Sequence, residues 1–344
     1  MNGSERHLAR RGLSVHTIGT GGGPIVSSSR AGISTLIRVD GASYVVDCGM
    51  GSVRNFRGAS RWEDLRAIFL THHHSDHIYD LGAFLVTGWQ VPGESFSGPV
   101  AVVGPGRSDD PGAVSEVSAE ARSERGTTST VEIVDALLDQ VYASDISIRM
   151  ADEGRSEPRH HIRARNIAIP AVGGDDHDVA WPPDMTPFEV FSDENVTVSA
   201  ILVDHRLCSP AFGFRFETRY GSVVISGDTA YSDNCRRLAR GADLLLHEVI
   251  DIDAILATFP EGPTREGIAT HLRESHTSYE HVGLLARAAE VGRLVLHHIV
   301  PNTPGAADLA KMTRRAQRDF GGPVAIAEDN ATFVVGSAVE EASA

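Results

Sequence analysis

Cysteine is scarce in this chain: Cys48, Cys208 and Cys235 are the only three in 344 residues, and they lie far apart. They are too few and too scattered for a disulfide framework or a cysteine-based zinc site, so a reducing cytoplasm is the economical expectation. No apolar run approaches the roughly 18 residues that a spanning helix needs, so no membrane association is expected. Residues Met1 to Gly12 are charged and lack an apolar centre, which leaves no visible secretory signal. Positive charge is also short, with 31 Lys and Arg against 46 Asp and Glu and a formal net charge of −15. That balance disfavours a broad nucleic-acid contact, because affinity for phosphate backbones rests on clustered Lys and Arg. It leaves room for a local basic groove, and bound divalent cations would neutralise part of the acidity. No G-x-S-x-G elbow occurs, so an α/β-hydrolase serine nucleophile is not supported.

What the chain does have is histidine in one concentrated place. Leu70-Thr71-His72-His73-His74-Ser75-Asp76-His77 follows the apolar run Ala67-Ile68-Phe69 and precedes an amphipathic helical pattern at Ile78, Leu81, Leu85 and Trp89. On an extended strand end, His72 and His74 point to the same side. Asp76 and His77 then fall in the first helical turn, where the dipole favours a carboxylate. Imidazole and carboxylate at this spacing suit a borderline metal such as zinc.

Elsewhere the strand pattern recurs with polar ends. Leu13 to Ile18 runs into Gly19-Thr20-Gly21-Gly22-Gly23-Pro24, where Pro24 replaces the third glycine of a dinucleotide fingerprint and no G-K-S/T follows. A tight turn beside a site is the simpler reading. Strands at Ser34 to Val39 and Ser43 to Asp47 join at Asp40-Gly41, and Asp47 is placed to support a ligand histidine. Pro99 to Val103 reads as a strand, 104–130 as a mobile surface insertion, and Val131 to Val141 as a helix. The polar passage 151–193, with His160, His161, His177 and Trp181, fits either a lid or a solvated excursion, and its three histidines are read as surface residues. Strands then end at Asp204-His205, at Gly227-Asp228 and at His297-His298, and Asp243 to Leu246 closes on His247-Glu248. Thr277 and Glu280 have the spacing of a capping box ahead of a helix beginning near Val282. A strand-rich half followed by a mixed half suggests two sheets packed face to face with helices outside.

These residues resemble the metallo-β-lactamase superfamily, and within it the branch containing ribonuclease Z and arylsulfatase-like hydrolases. The motif His72-x-His74-x-Asp76-His77 carries the superfamily. The branch rests on Gly19-Thr20-Gly21-Gly22-Gly23, Asp47-Cys48-Gly49, Ser226-Gly227-Asp228-Thr229, His247-Glu248 and His276-Thr277-Ser278. The resemblance implies an α/β fold, a four-layer αββα sandwich of two mixed β-sheets flanked by helices, forming one domain over 1–344. It implies two divalent metal ions, zinc with manganese or iron as alternatives. One ion falls to His72, His74 and His205, the other to Asp76, His77 and His298, with Asp228 between them. Strand alternation sends only one of His297 and His298 toward the cleft, and the family's spacing selects His298. Two cations sharing a water lower its pKa toward about 7. Asp76 would orient that water, His276 would donate to the leaving oxyanion, and His247 and Glu248 would support His276.

Ribonuclease Z enzymes of the common bacterial type carry a tRNA-binding arm between the positions of His205 and Asp228. Residues 206–227 hold a hairpin and nothing more. With the acidic balance, this favours a small ester (a sulfate ester, phosphodiester, carboxylic ester or lactone) as substrate, with tRNA 3′-processing second. A mononuclear iron oxidoreductase on the same scaffold is a third reading. A homodimer is compatible with all three.

Overall fold

Near-continuous apolar strands form the centre of the fold, and their order explains where the polar strand ends gather. A computed structural model describes residues 11–90, 93–107, 127–171, 182–206 and 208–336. In chain order the strands are β1 (Leu13–Gly19), β2 (Ser34–Val39), β3 (Ala42–Val46), β4 (Leu65–Phe69), β5 (Val100–Gly104), β6 (Ile162–Asn166), β7 (Phe188–Ser192), β8 (Thr197–Leu202), β9 (Phe212–Thr218), β10 (Gly221–Ile225), β11 (Leu244–Ile250), β12 (Leu294–Val300), β13 (Val324–Ile326) and β14 (Ala331–Val335). They form two seven-stranded sheets, ordered β14-β1-β2-β3-β4-β5-β6 and β13-β12-β11-β10-β9-β8-β7.

Each sheet passes from antiparallel to parallel pairing. In the first, β1, β2 and β3 are antiparallel and β3 to β6 parallel. In the second, β7 to β10 are antiparallel and β10 to β13 parallel. The β2–β3 hairpin turns on Asp40 and Gly41, both at positive φ (51° and 91°), as a primed two-residue turn requires.

The inner faces meet in one core. Phe69 of β4 lies 5.5 Å from Phe214 and 5.3 Å from Phe216 of β9, so the sheets interlock through aromatic edges. The outer face of the first sheet packs Leu36, Val45 and Ile68 against Phe56, Phe84 and Leu85 of the helices Ser52–Ala59 and Leu81–Gln90. The second sheet is covered by Leu238, Leu285 and Met312 from Asp233–Ala239, Val282–Ala288 and Leu309–Phe320. The result is the expected αββα sandwich.

Three local expectations change. The described parts of 151–193 hold β6 and β7, the outermost strand of each sheet. Edge strands have one ladder side unpaired and mix charge into their alternation, as in Ile162-Arg163-Ala164-Arg165-Asn166, and this hides them from periodicity. The helix read over Val131 to Val141 is an α-helix, Thr130–Ala136, that widens into a π-turn at Leu137–Val141 and is followed by a further helix, Ala143–Glu153. The strand expected to close on His247-Glu248 runs on to Ile250, followed by the helices Ile252–Leu256 and Pro263–Ser275, which periodicity did not reveal. Residues 108–126 of the anticipated insertion, with His177 and Trp181, lie outside the described residues.

Phe69→Ala is expected to destabilise the fold by about 3–5 kcal/mol in urea denaturation, the usual cost of emptying a buried aromatic site. Val334→Ala, at a side 71% exposed on β14, should stay within about 0.5 kcal/mol.

Candidate metal centre

The site is assembled at one end of both sheets, where strands release their backbone. After β3, Asp47 adopts φ 62° and is buried. Its Oδ1 accepts from the Thr71 amide and its Oδ2 from the Thr71 hydroxyl, each at 2.8 Å. These bonds hold the turn after β4. The Phe212 amide donates to the Thr71 carbonyl at 2.9 Å and ties that turn to the second sheet. His72 and His74 sit on the extended segment, and Asp76 and His77 fall in the short helix Ser75–Ile78, the placement their spacing predicts.

From the other sheet come His205 after β8, Asp228 after β10 and His298 within β12. The carboxylate of Asp228 divides its contacts. Oδ1 lies 3.4 Å from His77 Nε2 and 3.3 Å from His298 Nε2. Oδ2 lies 3.9 Å from both His72 Nε2 and His205 Nε2. Asp76 Oδ2 faces His298 Nε2 at 3.4 Å and His77 Nε2 at 3.6 Å, and accepts from the Gly23 amide at 2.8 Å. His74 Nδ1 is 3.2 Å from His205 Nε2.

Several rings are held in one tautomer from behind. His205 Nδ1 donates to the Ser275 carbonyl at 2.8 Å and His77 Nδ1 to Asp47 Oδ2 at 2.9 Å, so each directs Nε2 inward. Burial drives His205 down to about 3 and, with its imidazole neighbours, His72 well below the ordinary histidine range. Both rings are therefore neutral at physiological pH, the form that ligates a metal. Burial alone would raise Asp228, but His298 and His77 hold it well below the usual carboxylate range.

The donors fit cations. His72 Nε2, His77 Nε2 and Asp228 Oδ1 are buried with no hydrogen-bond partner in the protein, and buried polar atoms are rarely left so without reason. His72, His77 and Asp228 form one group whose ligand atoms lie within 4.8 Å of one another, and Asp76, His77 and His298 form another.

His298 is the cleft-facing member of its pair. A register shift between Glu248 and Val249 against β12, with His298 at φ 43°, turns its ring inward, while His297 Nε2 meets the Gly19 carbonyl at 3.2 Å. A Cβ on Gly22 would stand 2.4 Å from the His298 ring, so the glycine-rich turn is the cradle for that ring.

His276 stands beside the cluster. Its Nδ1 donates to Glu248 Oε2 at 3.0 Å and lies 3.9 Å from Asp228 Oδ2. Glu248 is buried and anchored by the Thr229 amide at 2.6 Å. His247 is a correction: its ring points behind the site, Nδ1 to the Glu248 carbonyl at 2.8 Å and Nε2 3.7 Å from Cys235 Sγ, and it does not reach His276. The capping box is another. Thr277 Oγ1 donates to the Thr229 carbonyl at 2.7 Å, leaving His276 as the C-cap of Pro263–Ser275 and His281 as the N-cap of Val282–Ala288. Sequence reasoning gave the Gly23 amide no role within its glycine-rich turn, and passed over the Ser275 carbonyl and Cys208, which carry no motif signal.

This fold with this histidine and aspartate cluster defines a metal-dependent hydrolase, and comparison with known proteins places it more narrowly. The family model described as the metallo-beta-lactamase superfamily matches residues 30–95. A protein named ribonuclease Z from Mycobacterium bovis is 31% identical over 326 residues, covering 92% of this chain and 96% of its own length. One of the same name from Mycolicibacterium paratuberculosis is 33% identical over 318 residues, with the same 92% and 96% coverage. In structure, the short form of human tRNase Z covers 94% of this chain and 100% of its own, with a TM-score of 0.57 and 21% identity. The chain belongs to the ribonuclease Z branch of the metallo-β-lactamase superfamily. Among the described residues no helix is long and apolar enough to cross a membrane.

Burial would lower His276, but the facing Glu248 carboxylate raises it to about 9. The imidazolium therefore persists below that pH and is lost as pH rises through it. Histidine NMR on the metal-free protein should show this resonance titrating far to the alkaline side. Glu248→Gln should bring it down toward the ordinary value near 6.5; an unmoved titration would remove Glu248 as the cause.

Proposed function

We propose that this chain hydrolyses a phosphodiester bond in RNA, with precursor tRNA cut on its 3′ side as the substrate. The observation that carries this reading is its likeness, over nearly the full length of both chains, to relatives named ribonuclease Z. It replaces the small ester favoured by the short 206–227 hairpin together with the acidic balance. Net charge counts the buried acids of the site together with those of a solvated surface, where screening acts within about 8 Å, so it is a poor guide to one cleft. Locally, Arg30 and Arg54 line a depression of about 310 Å³ that opens beside Asp76. A phosphate backbone reaching Asp76 would pass these two cations.

His72, His74 and His205 would hold one divalent cation, Asp76, His77 and His298 a second, and Asp228 would lie between them. Zinc suits this donor set, with manganese or iron as alternatives. When bound, such a pair supplies Lewis acidity and a water of lowered pKa. The protein's own groups do the rest. Gly23 fixes Asp76, whose carboxylate borders the cluster and can orient the attacking water. Glu248 holds Nδ1 of His276, so its other nitrogen is the one available to protonate the leaving oxygen. The divided contacts of Asp228 favour two ions over the single iron of an oxidoreductase, and elemental analysis separates these readings.

Incubated with zinc or manganese, the purified chain should cleave a precursor tRNA. Failure there, with turnover of a small phosphodiester, sulfate ester or lactone under the same conditions, would return the substrate to the small-ester class.

Asp228→Ala should lose metal and activity together. His276→Ala should keep its metal content while kcat falls by about 10²–10⁴, the range for a missing general acid. Loss of metal from His276→Ala would assign it to ligation instead.

A further inference from the structure

Beyond the seven expected ligands, one more donor atom faces the cluster. Cys208 is half-buried, and its Sγ lies within 4.8 Å of a ligating nitrogen from each of His72, His74 and His205. The backbone puts it there: Arg206 takes φ 45°, and the Cys208 amide donates to the His205 carbonyl at 3.0 Å. Residues 205 and 208 are thereby folded onto the same point. The backbone N–H of His73 faces the sulfur, as amides do around metal-bound thiolates.

Two observations independent of the cysteine aim at the same spot. His72 Nε2 is buried and has no hydrogen-bond partner. His205 Nε2 is directed inward because its Nδ1 is held by Ser275. Behind the sulfur opens a cavity of about 470 Å³, bounded by His73, Pro105, Ile133, Pro210 and His271. Cys48 and Cys235 are buried and belong to no such group among the described residues.

We propose that Cys208 is a further, sulfur ligand to the ion held by His72, His74 and His205 and shared through Asp228. This rests on the reading of the cluster as a metal centre. Coordination breaks the S–H bond, forms the sulfur–metal bond and releases the proton to solvent. With the oxygen that Asp228 would share, the set becomes three nitrogens, one sulfur and one oxygen, within the five-coordinate range of zinc, and, being softer, it discriminates against manganese at this position. The cysteine would thus select the metal.

The full-length chain is loaded with Co²⁺, and its absorption spectrum is recorded beside that of Cys208→Ser, with bound metal counted by elemental analysis. The wild type should show a sulfur-to-cobalt charge-transfer band in the near ultraviolet. Cys208→Ser should bind cobalt with its visible bands retained and the sulfur band lost. In competition titrations, its zinc affinity should fall at least about tenfold, since even supporting partners of a ligand contribute 10–100-fold, while its manganese affinity changes little. Matched thermal unfolding of the two metal-free proteins checks the fold, and Cys208→Ala should reproduce the loss. Cobalt bound by the wild type without a sulfur band, or a band that survives in Cys208→Ser, overturns the proposal and leaves the metal centre standing. Absence of bound cobalt in the wild type overturns both.

Discussion

The carboxylate of Asp228 is the contact on which the rest of the site depends. It is buried, negatively charged and faced by imidazoles on both of its oxygens, His77 and His298 on one and His72 and His205 on the other. A lone buried carboxylate is costly unless positive charge meets it. Here, that charge comes from His77 and His298 in the bare protein and would come from cations in the loaded one. The elements around Asp228 can be understood as means of bringing four rings from three chain segments to one carboxylate.

The sandwich makes this convergence inexpensive. Strand ends are where backbone groups leave the ladder, so side chains there can turn into a cleft without breaking sheet hydrogen bonds. Two sheets locked by Phe69, Phe214 and Phe216 place the ends of β4, β8 and β10 side by side, and the Thr71–Phe212 bond fixes their register across the gap. Strain is concentrated there too. Asp47, Arg206 and His298 are non-glycine residues at positive φ, and each lies in or beside the cluster. Such conformations cost roughly 1–3 kcal/mol each, and a rigid scaffold must supply it.

Much of this was legible in the chain because the chemistry was local. The spacing of His72, His74, Asp76 and His77 specifies both a strand end and a helical first turn, and Asp228 and His205 each terminate an apolar run. What was hidden depends on registration between distant segments. His297 and His298 are indistinguishable by type; the family's spacing selected His298, and its physical cause, a bulge in β12 opposite Glu248, was not legible. His247 and Glu248 are neighbours on a strand, so pleating sends one into the site and the other behind it. The edge strands β6 and β7 carry charge where a central strand would not. Cys208 has no spacing signal, because its position is set by a left-handed turn at Arg206.

The proposed RNA substrate departs from what composition favours, and the departure has a physical reason. A formal charge of −15 treats every carboxylate as equal, yet Asp47, Asp76, Asp228 and Glu248 are buried and faced by imidazoles, amides or a hydroxyl. Divalent cations in the cluster would reverse the local sign where a phosphate would bind, and Arg30 and Arg54 stand at the adjoining opening. Recognition of a polyanion is decided by the field inside a low-dielectric cleft, which focuses on the groups lining it. An acidic protein can therefore present an anion-accepting site, provided its acids are the ones holding the cations.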